Sequence, residues 1–102
     1  MPYLVSIHVD GSIVKKDITG IPPIEELKTV VGGWLETVPY FTKYNGEPCI
    51  AFCDEEGKLK HKPHNPHAQI LWEKAYGRPI TEDYLVGNIV IVVGPKSFLS
   101  KM

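Results

Sequence analysis

The sequence is short of the residues that usually announce chemistry. It carries two cysteines, Cys49 and Cys53, in 102 residues, too few for the disulfide framework of a small secreted domain. On one strand they would share a face with Cα atoms roughly 13 Å apart at about 3.3 Å per residue. A bridge needs Cα atoms within about 7 Å, so reduced thiols of a cytoplasmic protein are expected. Charge of one sign is also missing: 11 Lys and Arg stand against 12 Asp and Glu. Proteins that bind nucleic acid through phosphate charge need a basic face. The basic stretch Lys58, Lys60, His61 and Lys62 follows Asp54, Glu55 and Glu56, and the two fields cancel beyond a Debye length of about 8–10 Å. The longest apolar run, Ile89 to Val93, is far below the roughly 20 residues of a membrane span. The N-terminal MPYLVSIHVDGS lacks the plan of a signal peptide. A bacterial-cytoplasm-type protein with no membrane partner and no strong nucleic-acid signal is the expectation.

What is present is ordinary globular material: 43% of residues are apolar and 23% charged, enough for a single domain over residues 1–102 with one real core. Residues 3–9 alternate, Asp10-Gly11 is a strong hairpin signal, and 12–18 return, with Lys15, Lys16 and Asp17 guarding an edge. Pro22 and Pro23 open a helix over 22–31, Glu25 and Glu26 suit its dipole, and Ile24, Leu27 and Val31 make its apolar stripe. Gly32-Gly33 ends it, with one glycine left-handed. Residues 34–41, 49–53 and 59–62 read as a meander of three strands, turned by KYNGEP and DEEGK. Asn65 caps a helix over 66–76 with Pro66 at its first position, and Ala68, Leu71, Trp72 and Ala75 line one face. Ile89–Val93 is a central strand covered on both faces, and 95–102 are expected to fray. The order β-β-α-β-β-β-α-β makes an α+β fold, a mixed or antiparallel sheet of five to six strands with two helices packed on it.

The candidate chemistry is thin. HKPHNPH (61–67) gathers three of the four histidines, but Pro63 and Pro66 stiffen the path, and the usual zinc spacings are absent. These histidines read as turn and cap residues, with no metal and no cofactor expected. A nucleophilic Cys53 would need a histidine and an orienting group, and a buried strand cysteine is usually inert. Asp54, Glu55 and Glu56 read as a solvated hairpin turn, and VVGG leaves a helix, the wrong end for an anion. Trp34, Tyr40, Phe41 and Tyr44 read as sheet-face core or as a stacking surface. Glu36 sits among them, at the rim of the sheet or buried with a partner.

VVGGWLETVP, CDEEGKLKHKPHNPHA and YLVGNIVIVVG together resemble the proteins catalogued as domain of unknown function 3846, found in phages, plasmids and bacterial genomes. The residues that carry the resemblance are Val31, Gly32, Gly33, Glu36, Glu55, Glu56, Gly57, Lys58, Leu59, Asn65, Pro66, Ala68, Gly87, Val90 and Gly94. They span roughly residues 3–94. Asn88, His64 and His67 depart from the pattern. The resemblance brings no activity with it. It implies a setting: a small accessory protein of a phage or mobile element in a bacterial cytoplasm.

Together these readings lead to a non-enzymatic protein that binds a host protein and modulates host metabolism or defence. The alternative is a small-ligand binder, a nucleotide or signalling-molecule sponge completed across a homodimer. The candidate contact residues are Glu36, Tyr40, Tyr44, Glu55 and Lys58, because aromatics flanked by charge are what interface hot spots use.

Overall fold

The structure, a computed structural model, describes residues 2–102. Five strands form an antiparallel path: β1 (Tyr3–Ile7), β2 (Ile13–Asp17), β3 (Leu35–Thr37), β5 (Glu47–Asp54) and β6 (Ile89–Val93), in the order β2-β1-β6-β5-β3. A sixth, β4 (Lys43–Tyr44), pairs only with the start of β5. Between them Asn45 and Gly46 make the hairpin turn, at φ 50° and 80°, the left-handed pair that suits a two-residue hairpin.

The alternation of β1 decides which helix covers which face. Tyr3, Val5 and Ile7 join Cys49, Ala51, Ile89, Ile91 and Val93 on one face, under Ala68 and Trp72 of α2 (Pro66–Tyr76). Leu4, Val90 and Val92 lie on the other, under Leu27 and Val31 of α1 (Ile24–Val31). All five residues of β6 are buried, because a strand with helices on both sides has no polar face to spare.

Two expectations are corrected. The C-terminal tail does not fray: Lys96–Leu99 form a third, one-turn helix, α3, that buries Leu99 against the α1 face. Residues 59–62 form no strand. Leu59, Lys60 and His61 belong to a run of turns over 55–61 that Lys62 follows, closed by hydrogen bonds from Lys60 N to Glu56 O and Lys62 N to Gly57 O, with His61 left-handed at φ 56°.

The cause of that turn is Asp54, which is not the solvated residue expected. Its side chain is 1% exposed and accepts from Lys60 Nζ at 2.9 Å and Lys62 Nζ at 2.7 Å. The Glu56 backbone N–H adds a third bond at 2.9 Å. Burial opposes its ionisation, but the hydrogen bonds from Lys62 and Lys60 prevail and bring its pKa down to about 2. Lys62 also donates to Val31 O at 2.6 Å, a cation on the terminal carbonyls of α1. Gly32, the left-handed residue at φ 79°, ends that helix. Gly33 answers to a different demand: a Cβ there would stand 2.5 Å from Asp54 Oδ1.

Asn65 is the second buried polar node. Its Oδ1 accepts from Ala68 N at 3.0 Å, the expected cap, while Nδ2 donates to Ile7 O at 2.9 Å and Gly87 O at 3.0 Å. One amide therefore ties α2 to the end of β1 and the approach to β6.

Candidate functional site: a cleft at the β3 edge

The sheet is not covered evenly on its α2 face. Beyond Trp72 it continues to β5 and β3, where Glu36 lies opposite Cys53 in register. A cleft of about 110 Å³ opens there. Its floor is Glu36, Val38, Cys53 and Trp72; its walls are the 55–59 turn and the 83–86 loop. The walls are fixed to each other, because the Lys58 ammonium pairs with the Asp83 carboxylate and sits 4.5 Å from the centre of the Tyr84 ring. The hydrogen bond that Lys58 donates to Asp83 raises the Lys58 pKa. Burial opposes ionisation of Asp83, but the Lys58 hydrogen bond holds its carboxyl below the usual range. Gln69 of α2 anchors the far loop, accepting from Leu85 N at 2.8 Å. Trp72 Nε1 donates to Pro39 O at 2.7 Å and holds the exit of β3.

Three of the five candidate residues meet here: Glu36, Glu55 and Lys58 all line the cleft. Glu36 is exposed at the rim of the sheet, one of the two positions its strand allowed. Tyr40 lies on an adjoining patch. It is 63% exposed, left-handed at φ 64°, and stacked on Tyr76 with ring centres 4.9 Å apart. A second small cavity of about 120 Å³ lies between it and Ile80, sharing Pro39, Trp72 and Asp83 with the cleft. Tyr44 is elsewhere, half-buried on the β4–β5 hairpin in a pocket with Leu71 and Ala75 of α2. Of the other aromatics, Phe41 is core, whereas Trp34 is exposed with Lys28 Nζ 3.8 Å above its ring.

The sequence reading passed over Asp83 and Tyr84. They lie in a segment with no periodicity, and only the fold brings it to Lys58. Leu59, 78% exposed, was placed in a strand.

Chemically the cleft is poor in nucleophiles. Burial pushes the Cys53 thiol up to about 12, and the Glu36 carboxylate adds to the effect. Its Sγ lies 3.8 Å from Glu36 Oε1. The histidines are dispersed in their contacts: His64 stacks on Tyr84 with centres 4.6 Å apart, His67 faces Gly11, and His61 is in the left-handed turn. Among the described residues no group of three or more His, Cys, Asp or Glu side chains is placed to hold a metal ion.

A small α+β domain with a side-chain-sized cleft at one sheet edge is the class these features define. The chain belongs to the family described as domain of unknown function (DUF3846), whose model matches residues 4–99. No curated protein and no solved structure matches it. No helix among the described residues is long and apolar enough to cross a membrane.

Proposed function

We propose that this is a non-enzymatic accessory protein that binds a host protein through the cleft at the β3 edge, in the phage or mobile-element setting its family resemblance implies. The observation that carries this reading is the cleft's size. At about 110 Å³ it has the volume of three or four waters at about 30 Å³ each, room for one side chain. Small-molecule sites run to about 300–1,000 Å³, which weighs against this cleft as the site of a bound nucleotide. The surroundings are those of an interface centre: Leu59, Tyr84 and Tyr40 are exposed apolar or aromatic groups beside charged groups. A thiol at about 12 supplies almost no thiolate at neutral pH, which argues against covalent catalysis by Cys53.

The test is capture from bacterial host lysate by the wild type and by a Leu59→Ser/Tyr84→Ala variant, with native mass spectrometry of the purified protein beside it. A host protein retained by the wild type and lost by the variant is the expected result. A co-purifying small molecule with no retained protein overturns the reading.

A further inference from the structure

The hydrogen-bond phase of β3 says what kind of partner segment fits. Val38 N donates to Ala51 O at 2.9 Å, and Glu55 N to Trp34 O at 2.8 Å. The even-numbered residues of this segment therefore direct their backbone groups at β5, as alternating antiparallel pairs require. The N–H and C=O groups of Leu35 and Thr37 point the other way. β3 is the terminal strand of the sheet, and among the described residues those groups have no hydrogen-bond partner. The open edge borders the cleft, and Glu36, between the two free residues, lines it.

Charge then selects the occupant. Asp54 is matched by Lys60 and Lys62, and Asp83 by Lys58. Glu36 and Glu55 line the same cleft and have no ion pair among the described residues. A carboxylate pair beside the Tyr84 and Trp72 rings and the Leu59 side chain suits a cation on an apolar stem.

Resting on the host-protein reading and refining it, we propose that β3 accepts an extended strand of the partner, antiparallel, with a Lys or Arg directly opposite Glu36. That position belongs to a pair without hydrogen bonds, where Cα atoms come to about 4.5 Å. Its side chain rises on the α2 face, toward Glu36 and Glu55. The backbone groups of Leu35 and Thr37 supply affinity, and the cleft supplies the choice of side chain. The opposite edge, β2, is fully exposed too, but carries Lys15 and Lys16 at its centre, the usual guard against strand addition.

The experiment is selection from a displayed random 12-residue peptide library on the immobilised protein, followed by affinity measurement on selected synthetic peptides. Enrichment of one Lys or Arg between β-branched residues is expected, and of an acidic residue in its place on Glu36→Lys. Thr37→Pro removes an outward N–H that β5 does not use, and should weaken the peptides 10-fold or more with an unchanged melting temperature. N-methylation of the peptide makes the same test without altering the protein: amides on the β3 side should abolish binding, and those on the far side should not. Selection without a basic residue, or affinity indifferent to N-methylation, overturns the proposal. So does a dimer in sedimentation that Thr37→Pro dissolves, which would give the edge to a second copy. A host protein captured equally by wild type, Glu36→Lys and Thr37→Pro would leave the host-protein reading standing and refute this one.

Discussion

Replacing Gly33 by alanine tests the buried charge node directly. The added Cβ would meet Asp54 Oδ1 at 2.5 Å and Cγ and Oδ2 at 2.6 Å, so the carboxylate must move. It is held by Glu56 N, Lys60 and Lys62 at 2.9, 2.9 and 2.7 Å, and no position keeps all three bonds once it shifts. Disrupting a buried pair costs about 3–5 kcal/mol. The two lysine side chains are 40% and 22% exposed and recover water, which puts the loss near about 3 kcal/mol. Alanine's smaller unfolded-state entropy returns about 0.4–1 kcal/mol. The net is about 2 kcal/mol, or a melting temperature lower by roughly 8–16 °C in a domain of this size. Urea unfolding followed by circular dichroism measures it, in the wild type and in an Asp54→Ala background. There the new methyl group enters the space the carboxylate left, and Gly33→Ala should cost under about 0.5 kcal/mol. The coupling is then about 2 kcal/mol. Equal costs in the two backgrounds would refute the account of Gly33.

Acid should expose the same node: Asp54 is lowered from 3.8 to about 2, so its stabilisation is full above about pH 4 and is lost as the pH falls toward 2. That is about 2 kcal/mol at 1.36 per unit, and Asp54→Ala should flatten this part of a stability-against-pH curve. Asn65→Ala removes the α2 cap and leaves Ile7 O and Gly87 O without their donor; about 3 kcal/mol lost in urea unfolding is expected, and under 1 would refute it. Cys53 should alkylate slowly with iodoacetamide at pH 8, and Glu36→Gln, by removing a charge that raises its pKa, should speed the reaction. Replacing His61, His64 and His67 together by alanine should change stability by less than about 1 kcal/mol, and the purified protein should carry no stoichiometric zinc by elemental analysis; one tightly bound equivalent would overturn the reading of HKPHNPH.

Local signals carried most of the fold. The Asp10-Gly11 hairpin, the proline-opened α1, the Asn65-Pro66 start of α2 and the apolar run of β6 each state a conformation within a few residues, and each stands where its chemistry placed it. The failures share a cause. Leu59-Lys60-His61-Lys62 alternates like a strand, yet the alternation serves to bring Lys60 and Lys62 to one acceptor. Asp54 looked like a turn residue because it opens Asp-Glu-Glu-Gly, and nothing local separates a carboxylate facing water from one facing two lysines. Gly32-Gly33 reads locally as a pair in which one glycine is needed for its conformation. The left-handed position is Gly32, and Gly33 is kept small by a side chain 21 positions away in the chain.

The same division runs through the cleft. Glu36, Glu55 and Lys58 were legible because strand and turn patterns locate them to within a residue, and β3–β5 pairing does the rest. Tyr40 and Tyr44 were grouped with them as aromatics flanked by charge, with 34–41 read as one strand. The chain instead leaves the sheet after the Val38–Ala51 hydrogen bond: Pro39 O is taken by Trp72, and Tyr40 turns left-handed onto Tyr76. That early exit leaves β3 three residues long. A longer strand would have presented a continuous apolar edge, open to indiscriminate pairing. A three-residue edge offers few backbone bonds, too few to hold a partner alone, so recognition there must lean on the side chain at the centre. Glu36 occupies that centre and, among the described residues, has no cation of its own. The shortness of β3 and the unmatched charge of Glu36 therefore bear on one requirement: a partner strand that brings the missing cation.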